Sequence, residues 1–420
     1  MIRLIEIRNY RSLLYISQQL DRFHVLVGAN ASGKTTFLDA ISFAADIVVQ
    51  GIDYAIQQRS RNYADLTFAG QGGDIELALE LEIPQPLRAR LPREDFDRVR
   101  YEVRIGLAAD TQEHAIKEER VLLARSLAPA SPEQRSVFPD SPEGPRGLPA
   151  VPRTASQYRL AVEKAGLHDR FTPETSAVSA DSWLSPLKLG IKKSALGSLP
   201  ADETLFPVSS WLKEFLSTGI QLFVLDSLAI RRASPPGQTR KFKPDGSNLP
   251  WVIEEVRHRD PRAFRNWLSH LQTALPDVAD ILTVERQDDR HRYLKLRYQG
   301  GIEVPSWLVS DGTLRMLALT LPAYLPEFEG VYLIEEPENG IHPRAVETVY
   351  QSLSSVYHAQ MLLASHSPVI LSMVSLQEVL CFAKTGEGIT DIVRGAEHPK
   401  LRNWKGETNL SLLFAGGVLS

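Results

Sequence analysis

Eight residues near the start of the chain, Gly28-Ala29-Asn30-Ala31-Ser32-Gly33-Lys34-Thr35, have the types and spacing that phosphate chemistry needs. Glycines at both ends let the backbone turn its N–H groups into one concavity, and a helix opening there adds the positive end of its dipole. Lys34 is long enough to reach β- and γ-phosphate oxygens, and Thr35 offers a hydroxyl to Mg²⁺. Asn30, Ala31, Ser32 and Thr36 complete the stretch expected to touch a nucleotide, so a nucleoside triphosphate and Mg²⁺ are the expected ligands. A second reactive element follows much later. The apolar run Val331-Tyr332-Leu333-Ile334 leads into Glu335-Glu336-Pro337, which puts two carboxylates at the carboxyl end of a buried strand, where open α/β sheets bind ligands. Glu335 is expected to hold Mg²⁺, directly or through water, and Glu336 to orient and polarise the attacking water. Alone, such an acidic pair is usually a solvated strand end; the independent phosphate loop favours the functional reading.

These residues need elements to hold them. Ile2–Ile7 alternates like a half-buried strand, and Phe23–Val27 is a short apolar run ending at Gly28, as a buried strand would. From Thr35 to Val49 apolar residues recur at three and four residue spacing, which predicts an amphipathic helix. Strand, loop and helix are thus in register. Half-exposed antiparallel strands are expected at Asp74–Ile83 and Arg100–Ala108, and helical patterning marks Ser156–Gly166 and Ser209–Thr218. Prolines crowd residues 126–153, where a loop or linker is expected. Further strands are read at Gln221–Leu225, Tyr293–Tyr298, Gly330–Ile334 and Gln360–Ala364, with a helical region from Leu249 to about Leu275. Buried strands alternating with helices imply an α/β fold with a largely parallel sheet.

Composition sets limits on partners. With 43% hydrophobic and 23% charged residues the chain is expected to be globular, and its net charge of −4 argues against coating nucleic acid through bulk charge. Local basic clusters, at Arg231-Arg232, Arg240-Lys241-Phe242-Lys243, Arg257-His258-Arg259 with Arg262 and Arg265, and Arg290-His291-Arg292 with Lys295 and Arg297, keep DNA or RNA as candidate ligands; a solvated surface balanced by nearby acids is the plain alternative. A single cysteine, Cys381, excludes a disulfide framework. No apolar run is long enough to span a bilayer, and the start lacks a signal-peptide core, so a cytoplasmic protein with no membrane partner is expected.

Taken in order, the motifs resemble those of ABC-class ATPases of the RecF, SMC and OLD type, most closely bacterial OLD-like "AAA family ATPase" proteins. The resemblance covers about residues 1–108 and 222–375. Asn9-Tyr10-Arg11-Ser12 looks like the family's first-strand element, Gly28–Thr35 its Walker A loop, and Ser310-Asp311-Gly312 its ABC signature. Glu335-Glu336-Pro337-Glu338-Asn339-Gly340-Ile341-His342-Pro343 looks like Walker B running into the D-loop, and Ala364-Ser365-His366-Ser367-Pro368 like the switch-histidine segment. Read physically, Ser310-Asp311-Gly312 is a turn opening a helix over Thr313–Leu321, an anion site with no phosphate of its own. The resemblance implies that this site takes the γ-phosphate held by an opposite subunit, so that heads act as a homodimer or higher even oligomer, and that His366 senses the γ-phosphate. Gln71 is the candidate Q-loop residue; His342 either faces a partner's site or caps a helix.

The implied organisation is an ABC-type head made of residues 1–108 and 222–375, split by a mainly helical, Pro-rich arm over 109–221 and followed by a cap or docking segment over 376–420. The stretch after Pro368 holds no Asp-x-Asp cluster, so the Toprim nuclease that follows the ATPase in OLD proteins is not expected. The resemblance implies an ATP-hydrolysing switch that controls a nucleic-acid-directed process, as a component of anti-phage defence working with a separately encoded, nuclease-like effector. A RecF-like repair clamp and an ATP-binding scaffold with negligible hydrolysis are the alternatives.

Overall fold

The computed structural model describes residues 1–93, 95–126, 135–142, 144–148, 158–165, 168–175, 188–325, 328–401 and 410–416. It divides into two units, Met1–Ile220 with Leu376–Lys405, and Gln221–Ser375 with Gly406–Gly416. Much of the Pro-rich run and the Trp404–Glu407 segment lie outside the described residues. No helix among the described residues is long and apolar enough to cross a membrane.

In the first unit, β1 (Ile2–Tyr10) and β2 (Leu13–Gln19) form a hairpin, followed by β3 (Phe23–Gly28), α1 (Lys34–Val49) and the short α2 (Ile52–Gln57). Then come β4 (Ile75–Glu82), the single turn α3 (Gln85–Arg88), β5 (Arg98–Leu107), β6 (His114–Ala124), β7 (Tyr158–Ala165), β8 (His168–Phe171) and α4 (Pro207–Thr218). An antiparallel sheet runs β2-β1-β4-β5-β6-β7-β8. Its middle strands β4 and β5 are buried along nearly their whole length, where alternate exposure was expected, so both faces of the sheet are covered there. The expected helix at Ser156–Gly166 is strand β7, paired with β6 through Val121↔Val162. Its short apolar run Leu160-Ala161-Val162 fits either period, and a neighbouring strand edge decides between them. Strands β6 to β8 therefore continue the N-terminal sheet, and among the described residues α4 is the one helix of eight residues or more in the region expected to be a mainly helical arm. Across β7 and β8 the buried pair Lys164 and Asp169 meets at 2.6 Å, each charge compensating the other.

The second unit opens with β9 (Ile220–Phe223) and α5 (Ser227–Arg231), then α6 (Leu249–Arg259) and α7 (Pro261–Gln272). The helical region expected from Leu249 to about Leu275 is two helices that divide at Asp260-Pro261, because Asp260 accepts from the amides of Arg262 and Ala263 and proline begins the next helix. An antiparallel sheet of β10 (Val278–Glu285), β11 (Arg292–Tyr298) and β12 (Glu303–Pro305) follows, then α8 (Asp311–Thr320), β13 (Val331–Glu335), α9 (Pro343–Ser354), β14 (Gln360–Ala364) and α10 (Pro368–Met373). Strands β13 and β14 are parallel, in register from Val331↔Gln360 to Glu335↔Ala364, and β9 lies beside β13. Side-chain bonds join the helices: Trp267 Nε1 donates to Thr320 Oγ1 at 2.9 Å, and Ser352 Oγ to the Thr320 carbonyl at 2.7 Å.

The chain then returns to the first unit as β15 (Val379–Lys384) and β16 (Thr390–Arg394), before α11 (Leu410–Ala415) in the second. Strand β15 runs parallel to β3, from Val379↔Val25 to Phe382↔Gly28, and antiparallel to β16. The segment expected to be a cap therefore includes two strands of the core, one of them beside the strand that feeds the phosphate loop. Apolar Val379–Ala383 is buried throughout because it is an interior strand.

Candidate functional site

Strand β3 is buried over all six residues and delivers the loop of residues 29–33 to the start of α1. Gly33 is the N-cap at φ 107°, and no side-chain oxygen caps the helix; a helix start of this kind suits an anion. Lys34, only 7% exposed, folds over its own loop, with Nζ donating to the carbonyls of Gly28 at 2.8 Å and Ala29 at 3.0 Å. Phosphate oxygens are natural replacements for those two acceptors. The loop is moulded from the C-terminal side. A Cβ at Gly28 would run into the Phe382 carbonyl of β15, and one at Gly33 would lie 2.5 Å from Thr390 Oγ1 on β16. Thr390 Oγ1 also donates to the Ser32 carbonyl at 3.0 Å. Both glycines are thus required by packing as well as by phosphate approach, and Thr390 is a contributor that no local sequence signal points to.

The Asn9-Tyr10-Arg11-Ser12 element has a physical role at each position. Asn9, at φ 58°, donates from Nδ2 to the carbonyls of Gly72 and Asp74, each at 3.0 Å, and accepts from the Phe68 amide at 3.0 Å, which pins the 68–74 loop that carries Gln71. Tyr10 donates to Asp39 of α1 at 2.6 Å and stacks on Phe43 with centroids 5.2 Å apart. Arg11 and Arg59 hold the same carboxylate, at 3.1 and 2.7 Å. Burial and Asp39 together push the Tyr10 phenol well above its ordinary range, so it stays a donor. Ser12 Oγ meets Thr390 Oγ1 at 3.0 Å. The element fixes the helix after the phosphate loop, the Gln71 loop and Thr390. Gln71 itself follows a 3₁₀ turn over Phe68–Gly70.

In the second unit Glu335 ends β13 and Glu336 takes φ 46°, a left-handed conformation rarely adopted by a residue with a side chain. It is held there by its amide, which donates to the Ala364 carbonyl at 2.8 Å, and by Asn339, which donates to both its carbonyl and its carboxylate. Strain retained by several bonds is common where a side chain must be aimed. Glu338 Oε1 accepts from Ser365 Oγ at 2.8 Å and from the His366 amide at 2.9 Å. The segment after the Walker B-like pair is thereby tied to the loop that bears His366, a link the sequence did not reveal.

The signature-like loop has its own clamps in this unit. Ser310 is the N-cap of α8, its Oγ accepting from the Thr313 amide at 3.3 Å and meeting Thr313 Oγ1 at 2.8 Å. Asp311 pairs with Arg231 at 2.6 Å, and Arg231 also donates to the Trp307 carbonyl at 3.1 Å. A Cβ on Gly312 would lie 2.5 Å from the Gly340 carbonyl, so the start of α8 rests backbone to backbone on the D-loop-like turn. His342 caps α9, accepting from the Arg344 amide at 3.3 Å.

Many residues of the basic clusters lie in ion pairs. Arg257 meets Asp280 at 2.5 Å, Arg259 meets Glu255 at 2.7 Å, Arg290 pairs with Glu285, and Arg292 meets Glu285 at 2.8 Å. Lys295 and Arg297 share Glu303. For these residues the plain reading of a balanced surface holds. No group of three or more His, Cys, Asp or Glu among the described residues forms a metal-binding cluster.

The fold and motifs agree with what the chain is similar to. Among solved structures, an SMC head bound to the C-winged helix domain of ScpA matches with a TM-score of 0.53 at 14% identity, over 93% of this chain and 96% of that one. An SMC head domain with an extended coiled coil, bound to the C-terminal domain of ScpA derived from Pyrococcus furiosus, matches with a TM-score of 0.51 at 14% identity, over 100% of this chain and 98% of that one. At such identity the likeness carries the fold, that of an SMC head ATPase domain. No curated protein matches the chain in sequence. The family model described as "AAA domain, putative AbiEii toxin, Type IV TA system" matches residues 23–372, and by that match over most of its length the chain belongs to the AAA_21 family of P-loop ATPase domains.

Proposed function

We propose that the chain binds and hydrolyses ATP, that ATP closes two heads into a dimer, and that this switch controls a nucleic-acid-directed process through a separately encoded effector. The observation that carries the reading is the phosphate loop: an uncapped helix start, two glycines packed closely against the Phe382 carbonyl and the Thr390 side chain, and a buried lysine turned onto the loop carbonyls. Residues 28 and 30–36 hold the triphosphate, with Lys34 exchanging its carbonyl partners for phosphate oxygens. Thr35 and Glu335 have the hard oxygen donors that suit Mg²⁺, which when bound neutralises developing charge on the phosphates. Glu336 orients and polarises the attacking water, and His366 senses the γ-phosphate on a loop steadied by Glu338. Ser310, Asp311 and Gly312 serve the nucleotide of the opposite head, and Gln71 is the proposed Q-loop residue. A role in anti-phage defence is supported by the family description, which names a toxin of a type IV toxin–antitoxin system; a protein partner is supported by the SMC heads solved with ScpA.

Phosphate release and light scattering test this together. The wild type should hydrolyse ATP, Lys34→Ala should lose nucleotide binding, and Glu336→Gln should bind ATP, turn over slowly and accumulate as a dimer. Full affinity in Lys34→Ala, or unchanged turnover in Glu336→Gln, refutes the assignment.

A further inference from the structure

One cationic site in the second unit is not balanced. Beside the signature-like loop lies an open cleft of about 390 Å³ lined by Arg231, Arg232, Arg286, His291, Asp289 and Trp307. Asp311 occupies Arg231 at 2.6 Å, while Asp289 is shared between Arg286 at 3.6 Å and His291 at 3.2 Å. Arg232 is exposed, and its guanidinium meets no carboxylate among the described residues. The cleft thus carries an excess of positive charge in a chain whose net charge is −4. Its remaining wall is aromatic: Trp307 is 45% exposed, its ring 5.0 Å from that of Tyr293, and the Arg286 guanidinium lies 5.8 Å over the Tyr293 ring.

Guanidinium groups next to an exposed aromatic face are the pairing that holds a phosphate and stacks the adjoining base. At about 390 Å³ the open cleft has room for one nucleotide unit. A base inside a duplex is stacked on both faces and cannot reach Trp307, whereas a single strand can splay one out. We infer that this cleft binds single-stranded nucleic acid, seating a phosphate between Arg232 and Arg286 and stacking a base on Trp307. The inference deepens the nucleic-acid reading proposed above and rests on it. Arg231 lines the cleft and also holds Asp311, so a phosphate competing for its guanidinium bears directly on the loop that begins α8.

Fluorescence anisotropy of the full chain with a labelled oligothymidylate, and with a duplex of equal length, at two salt concentrations and with and without ATP, tests this. The wild type should bind the single strand more tightly than the duplex. Arg232→Gln should weaken binding and flatten the salt dependence by about 0.7 in log–log slope, the share of one phosphate contact on a single strand, while Arg232→Lys keeps the slope. Trp307→Ala should weaken binding about five-fold or more with the slope unchanged, as loss of one stacked base does, and Trp307→Phe should retain it. Wild-type affinity in both Arg232→Gln and Trp307→Ala, or equal binding of duplex, overturns the cleft but leaves the nucleic-acid reading standing. Absence of binding to any oligonucleotide by the wild type overturns the cleft and leaves contact with nucleic acid to the effector.

Discussion

Thr390→Val is the sharpest test of how the phosphate loop gets its shape. The substitution conserves volume and removes one hydroxyl from a fully buried position, and that hydroxyl donates to the Ser32 carbonyl and meets Ser12 Oγ, each at 3.0 Å. Stripping a buried carbonyl of its donor costs about 1–3 kcal/mol. If the nucleotide must then order the loop, that cost appears in binding, where 1.4 kcal/mol is tenfold, so the ATP dissociation constant should rise roughly five- to 150-fold. The same loss should reduce the stabilisation that saturating ATP gives the fold by an equal amount, since ligand stabilisation follows RT ln(1 + [L]/Kd). Titration with a fluorescent ATP analogue reads the first effect, and melting with and without ATP reads the second. Thr390→Ser keeps the hydroxyl and should stay near wild type. If Thr390→Val binds ATP as tightly as wild type, or if Thr390→Ser is equally impaired, the hydroxyl does not shape the loop and the reasoning fails.

Three further outcomes follow from the same geometry. Glu338→Ala removes an acceptor shared by Ser365 and the His366 amide, two bonds to a carboxylate worth about 1.5–3 kcal/mol each; kcat for ATP should fall at least about tenfold with KM little changed, and an unchanged kcat would show that the His366 loop needs no such tie. Gly312→Ala drives a methyl group toward the Gly340 carbonyl, a clash of the kind that costs about 1–3 kcal/mol; ATP-dependent dimerisation measured by light scattering should weaken while ATP affinity of the monomer holds, and a normal dimer would refute that reading. His24 is buried, its Nε2 accepts from the Asp21 amide at 2.8 Å and its Nδ1 faces the Glu378 carbonyl at 3.1 Å, so only the neutral ring fits and burial pushes its pKa down to about 4. Between about pH 6.5 and 4 the unfolded chain holds the extra proton, so His24 stabilises the native state fully above that window and loses about 3 kcal/mol through it as pH falls; melting across these pH values should show a steeper loss for wild type than for His24→Gln, and parallel curves would overturn the assignment.

What the sequence made legible was what is local. The phosphate loop, α1, and strands β13 and β14 announce themselves because their signals are a contiguous motif or an uninterrupted apolar run. The identity of β7 was hidden because eight residues fit two periods, and only the edge of β6 settles which one is used. Strand β15 falls in the stretch expected to be a cap or docking segment until its pairing with β3 is seen. In the site, Ser310 and Glu336 stand inside recognisable motifs, whereas Thr390 and Glu338 act through bonds to residues far away in the chain or in another motif, which no spacing rule reports.

The distance between Ser32 and Thr390 along the chain, 358 residues, has a consequence during synthesis. At about 5–20 residues per second a ribosome needs roughly 20–70 s to travel between them. Throughout that interval the Gly-Lys-Thr stretch is outside or leaving the exit tunnel without the strands that mould it. A nascent chain should therefore gain tight ATP binding late and abruptly, when β15 and β16 dock, so that nucleotide occupancy itself reports that the head has been completed.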